Sequence, residues 1–157
     1  MIAALRQTHA LEHATLTLLS QRYPGVRMAG RSTPGAFIVY GDLPTEAVRQ
    51  AAAEGLARLQ AGEHVLAIHP QCGTNLAVGG TLGLLLPLLG LGARSRLVRW
   101  ASLLLGLGTA IVAAQPLGRL AQQHVTTSAD LAGVRLADVQ RQGFAGFVSH
   151  KVTLGQE

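Results

Sequence analysis

His9, Glu12 and His13 stand in the order H-A-L-E-H. Two histidines four positions apart project from one side of a helix and can chelate a single divalent ion. Glu12, three positions after His9, lies along the same side, where a carboxylate can take a proton from a water that the ion has activated. The order H-x-x-E-H is the inverzincin arrangement, the reverse of the zincin order. The plainer alternative is a helix that carries these residues by coincidence. Against it, the chain has only six histidines, and an unpaired carboxylate buried among leucines would be costly.

An ion held by two histidines needs a further donor. The stretch His69-Pro70-Gln71-Cys72-Gly73 supplies two candidates, an imidazole and a thiol, both good zinc ligands. Cys72 is the preferred third ligand, with His69 as a ligand or as a support to one. By itself, a lone cysteine is more often a small buried hydrophobe. The remaining histidines carry weaker signals. His150 shares a strand face with Val148, Val152 and Leu154 and reads as a satisfied core histidine, His64 as the start of a strand, and His124 as a residue without a partner. Glu63 reads as a solvated turn residue.

The elements that must position these residues follow from periodicity. Leu5, His9, Glu12, Leu16, Leu19 and Tyr23 recur at steps of four and three, which predicts a helix from about Ala3 to Tyr23, stopped by Pro24-Gly25. Val26 to Tyr40 reads as two short strands around a Pro34-Gly35 turn. A second helix is expected from about Pro44 to Gln60, with Asp42 as its cap and Gly62 as its end, followed by a strand over His64 to Ile68. Val134 to Gln140 and Phe144 to Leu154 alternate like the strands of a hairpin, with Gly143 near the turn.

Between these segments the chain changes character. No charged residue occurs from Asn75 to Ala93 or from Trp100 to Gly118, nineteen positions in each case. Either run is long enough to cross a hydrocarbon core of roughly 30 Å, so a transmembrane helical hairpin is expected; a buried hairpin in a soluble core is the alternative. Arg94, Arg96 and Arg99 on the connection read as interfacial anchors. Gly79, Gly80, Gly83, Gly90, Gly92, Gly106 and Gly108 would permit close helix packing, within the hairpin or between copies in a homo-oligomer. The fold class is therefore α+β. Residues 1–74 form a metal-binding domain of helix, β-hairpin, helix and strand; residues 75–118 form the hairpin; residues 119–157 form a C-terminal β segment packing on the first domain.

Composition agrees with a membrane location. Hydrophobic residues make up 48% and charged residues 13% of the chain, with a mean hydropathy of +0.31. A soluble domain usually carries about a quarter charged residues. The net charge of +5 comes almost wholly from scattered arginines, Lys151 being the one lysine, with no nucleic-acid module, so nucleic acid is not an expected partner. The lipid bilayer is. The N-terminus lacks the pattern of a signal peptide, and the single cysteine suits a reducing compartment. These cues favour the cytoplasm for the metal domain of an integral membrane protein. The arginine connection argues the other way, because the positive-inside rule would place both termini outside.

H-A-L-E-H with H-P-Q-C-G-T, followed at once by hydrophobic helices, resembles a family of uncharacterised bacterial membrane proteins described as predicted metal-dependent enzymes. The likeness runs from His9 to about Thr127 and includes Val125-Thr126-Thr127 after the second apolar run. More remotely, His9, Glu12, His13 and Cys72 resemble the metal site of S-ribosylhomocysteine lyase, with its H-x-x-E-H helix and downstream cysteine. That resemblance implies Glu12 as the base. Pitrilysin-type peptidases share the helix but use a glutamate as third ligand, and neither Glu54 nor Glu63 sits in a second motif. The expected activity is that of a membrane-embedded hydrolase using zinc or another divalent metal, with Glu12 as catalytic base, His9, His13 and Cys72 with His69 at the metal, and a peptide bond near the membrane surface as target. His69 or Asn75 could orient a substrate group; no other substrate-binding residue can be read. The alternatives are a non-enzymatic membrane scaffold or assembly factor with a closed structural metal site, and a hairpin membrane protein without metal.

Overall fold

Ile2–Arg22, twenty-one residues free of glycine and proline, form the first helix (α1) in the computed structural model, which describes residues 1–144 and 147–156. α1 ends at Tyr23, whose N–H donates to the Leu19 carbonyl, just before Pro24-Gly25. The fold is α+β: the described residues form four α-helices and a four-stranded antiparallel sheet. The chain divides into two units, Met1–His69 with Gln123–Glu157, and Pro70–Gln122.

In the first unit, β1 (Ala29–Thr33) and β2 (Ala36–Tyr40) form the expected hairpin, and α2 spans Thr45–Gln60. β3 (Val134–Phe144) and β4 (Phe147–Gln156) form the second hairpin. The order is β1-β2-β4-β3, so β4 lies in the middle, with Phe37 opposite Val152 and Val39 opposite His150. One sheet face is apolar. Phe37, Val39, Val139 and Val152 are buried against Leu11 and Leu19 of α1 and Val48 and Leu59 of α2. Each such side chain contributes about 1.5–3 kcal/mol on burial, which fixes α1 against the sheet and its histidines with it.

Two expectations here are corrected. Asp42 does not cap α2. Pro44, in extended geometry, occupies that position, and no side chain supplies a capping bond. His64 to Ile68 is not a strand; His64–Ala67 form a 3-10 turn. Gly62 at φ 92° turns the chain, and the following amides bond locally, Leu66 to Glu63 and Ile68 to Val65. A short apolar run has no periodicity that separates strand from helical turn.

In the second unit, α3 (Gly73–Leu88) and α4 (Arg96–Ala121) pack together as a helical hairpin. α4 runs on through a π-helical turn, Gln122–Thr126. Arg96–Thr126 is long and apolar enough to cross a membrane, and it carries exposed Leu104, Leu105, Ile111 and Val112. It is the one such helix among the described residues. α3 has sixteen residues, about 24 Å at 1.5 Å per residue, short of a roughly 30 Å core. The expectation of two full-length spans is corrected to this extent: the charge-free run continues to Ala93, but the helix stops before Gly90-Leu91-Gly92, where the bonds become tight turns.

Candidate metal centre

His9 and His13 are neighbours on α1, one turn apart. Their ring centroids lie 4.3 Å from each other at 62°. His13 is almost fully buried and His9 partly so. The Nδ1 of His13 is 2.8 Å from the Ala67 carbonyl, and the Nδ1 of His9 is 3.0 Å from the Thr126 carbonyl. A carbonyl oxygen only accepts, so each Nδ1 carries a proton, and in the neutral ring each Nε2 carries the lone pair. Metal-binding histidines are held in this way, with the second nitrogen oriented by a backbone carbonyl or carboxylate. The 3-10 turn that replaced the expected strand delivers the Ala67 carbonyl. The His69 ring stands 5.7 Å from that of His13, tilted by 40°.

The segment after α4 is fastened to the start of α1. Arg6 donates through Nε and Nη2 to the Thr127 carbonyl, and through Nη2 to that of His124. The Gln7 side chain donates to the Asp130 carbonyl at 2.9 Å, and the Ser128 amide donates to the Arg6 carbonyl at 3.0 Å. These bonds keep the Thr126 carbonyl on His9. They were not read from the sequence, although Val125-Thr126-Thr127 marked the segment.

Glu12 is buried on α1. Its carboxylate accepts a hydrogen bond from the Ser32 hydroxyl of β1. A methyl group at position 30 would overlap that carboxylate, so the close approach of helix and strand needs Gly30.

Cys72, also buried, caps the N-terminus of α3. Its Sγ accepts from the Thr74 amide at 3.4 Å, within reach of the Thr74 hydroxyl. Asn75 holds the loop. Its amide donates to the Pro70 carbonyl at 2.7 Å, and its Oδ1 accepts from Gln122 at 2.8 Å. Cys72 follows His69 by three residues, which limits their Cα separation to about 11 Å on chain geometry alone. Two imidazoles and a thiolate, from His9, His13 and Cys72, make a donor group that can hold a metal ion; the donors alone do not fix which metal.

His150 lies elsewhere in the fold, fully buried in β4 opposite Val39 and Arg141. It is a core residue as expected but not a satisfied one, since neither ring nitrogen has a hydrogen-bond partner among the described residues. Burial pushes its pKa below the ordinary histidine value; nearby Arg141 adds to this and Asp42 opposes it. His64 and His124 are exposed, and the His124 carbonyl accepts from Arg6. Arg94, Arg96 and Arg99 are exposed. Glu63 is not simply solvated: it pairs with Arg58, whose hydrogen bonds hold it below the usual carboxylate range.

Residues 4–139 match the model of a family described as Domain of unknown function (DUF6391). The chain belongs to that family. The DUF6391 match takes in the H-A-L-E-H helix, the loop bearing Cys72 and both apolar helices. An uncharacterized protein of Picosynechococcus sp. (strain ATCC 27264 / PCC 7002 / PR-6) is 38% identical over 164 residues, covering 96% of this chain and 78% of that protein. No solved structure matches.

Proposed function

We propose that this DUF6391 chain is a membrane-bound, zinc-dependent hydrolase acting on peptide bonds. His9, His13 and Cys72 hold the ion, with His69 beside them. The observation that carries this reading is the matched pair of Nδ1-to-carbonyl hydrogen bonds, which makes both Nε2 atoms lone-pair donors on one side of α1. Imidazole and thiolate donors favour zinc over magnesium or calcium. Bound there, the ion would act as a Lewis acid, polarising a carbonyl and acidifying a water. The Glu12 carboxylate accepts the proton that the attacking water loses and returns it to the leaving amine nitrogen. Ser32 and Gly30 position that carboxylate. α4 anchors the chain in a membrane, a reading that its length and exposed leucines support; the bacterial inner membrane, with the metal domain on the cytoplasmic side, completes the proposal.

The test is peptide hydrolysis by purified wild type and Glu12→Gln. A positioned general base contributes on the order of 10²–10⁴ in rate, so the variant should lose that much while keeping its metal. A fully active Glu12→Gln overturns the base assignment. A second reading is a closed structural metal site in a scaffold or assembly factor, favoured by the nearness of the His69 and His13 rings. Four protein ligands would leave no position for water. An inactive wild type that loses its metal on His69→Ala would select it.

A further inference from the structure

A cavity of about 500 Å³ opens beside α1, wholly inside the first unit. Its walls include the segments that hold the histidine pair: Ala67, whose carbonyl takes His13, and Thr127, next to the carbonyl that takes His9. Arg6 and Asp130 bring one positive and one negative charge to the same space. Among the described residues neither forms an ion pair. Arg6 is fixed through Nε and Nη2, which leaves Nη1 as its uncommitted donor among the described residues. Asp130 accepts the Ala132 amide on Oδ1, with Oδ2 remaining among the described residues. Val65 and Ile68 add apolar wall between polar neighbours.

We infer that this cavity binds a short zwitterionic peptide, two or three residues long, with its C-terminal carboxylate on Arg6 and its N-terminal ammonium on Asp130. A volume of this size suits a small ligand, and the two charges select one that carries both. An internal stretch of a long peptide offers neither charge. A ligand of a single sign would leave one side chain facing it unmatched. The inference rests on the peptidase reading for what becomes of the peptide, but binding itself needs no turnover.

The experiment is calorimetric titration of the full-length, detergent-purified protein with L-Ala-L-Leu, its N-acetyl form and its C-terminal amide. Saturable binding of the free dipeptide is expected, weakened by roughly tenfold or more, about 1.4 kcal/mol, when either end is blocked. Asp130→Asn should weaken the free dipeptide to a similar degree and remove the penalty for N-acetylation; Arg6→Gln should do the same for the amide. Arg6 also fastens a segment of backbone, so the exposed Asp130 is the variant that decides if Arg6→Gln misfolds. No saturable binding of the free dipeptide, or equal binding of all three compounds, overturns the inference. Saturable dipeptide binding by a wild type that, prepared without chelators, carries no metal and cleaves no peptide would sink the hydrolase reading and leave this one standing. Hydrolysis of longer peptides without dipeptide binding would do the reverse.

Discussion

The histidine pair on α1 and His150 on β4 lie in the same unit, His13 and His150 both buried, and meet opposite surroundings. His13 and His9 each have a carbonyl at Nδ1, delivered by a 3-10 turn and by the segment after α4. His150 has no partner on either nitrogen among the described residues. The difference teaches that burial alone does not ready a histidine to hold a metal ion. What matters is a second group that fixes the tautomer and aims the lone pair. His9 and His13 have that group, and His150 is instead an unsatisfied polar residue in an apolar face.

The comparison can be broken by substitution. His13→Ala has the largest expected effect. It removes a buried ring and strands the Ala67 carbonyl, lowering stability by about 2–4 kcal/mol in denaturant unfolding. Added zinc should then stabilise wild type but not this variant. A zinc response equal to that of wild type would remove His13 from the site. His150→Leu should act in the other direction, raising stability by about 1 kcal/mol, because it replaces an unpaired polar ring with an apolar side chain. A marked loss of stability would mean that His150 has a role the fold does not disclose.

The same position predicts a pH dependence. The folded pKa of His150 lies below its ordinary value of 6.5. The unfolded chain therefore binds the extra proton first, and stability falls as pH drops below 6.5 toward the folded pKa. Above 6.5 the contribution is fully present. Unfolding followed across this range should show a shallower acid slope in His150→Leu than in wild type. Equal slopes would assign the acid sensitivity to other groups.

Much of this arrangement was legible because side-chain periodicity is written in residue types. The H-A-L-E-H spacing put His9, Glu12 and His13 on one helix, the Pro34-Gly35 turn marked the first hairpin, and alternation marked the second. The parts that went unread depend on backbone groups or distant pairings. The carbonyls of Ala67 and Thr126 have no residue-type signature, and the first reaches His13 only because His64–Ala67 folds as a 3-10 turn. Ser32 meets Glu12 across twenty residues because β1 packs on α1 at Gly30. The length of α3 was overread because a charge-free run does not say where its glycines end the helix. His150 looked satisfied because alternation reports a buried face and says nothing of the neighbours at a ring nitrogen.

Elemental analysis of detergent-purified protein, wild type beside His9→Ala, His13→Ala and His150→Leu, tests the central claim most directly. About one zinc per chain is expected in wild type and His150→Leu, and almost none in the other two. Wild type prepared without chelators that carries no metal, or His13→Ala that keeps a full equivalent, would contradict a metal centre built on the α1 histidine pair.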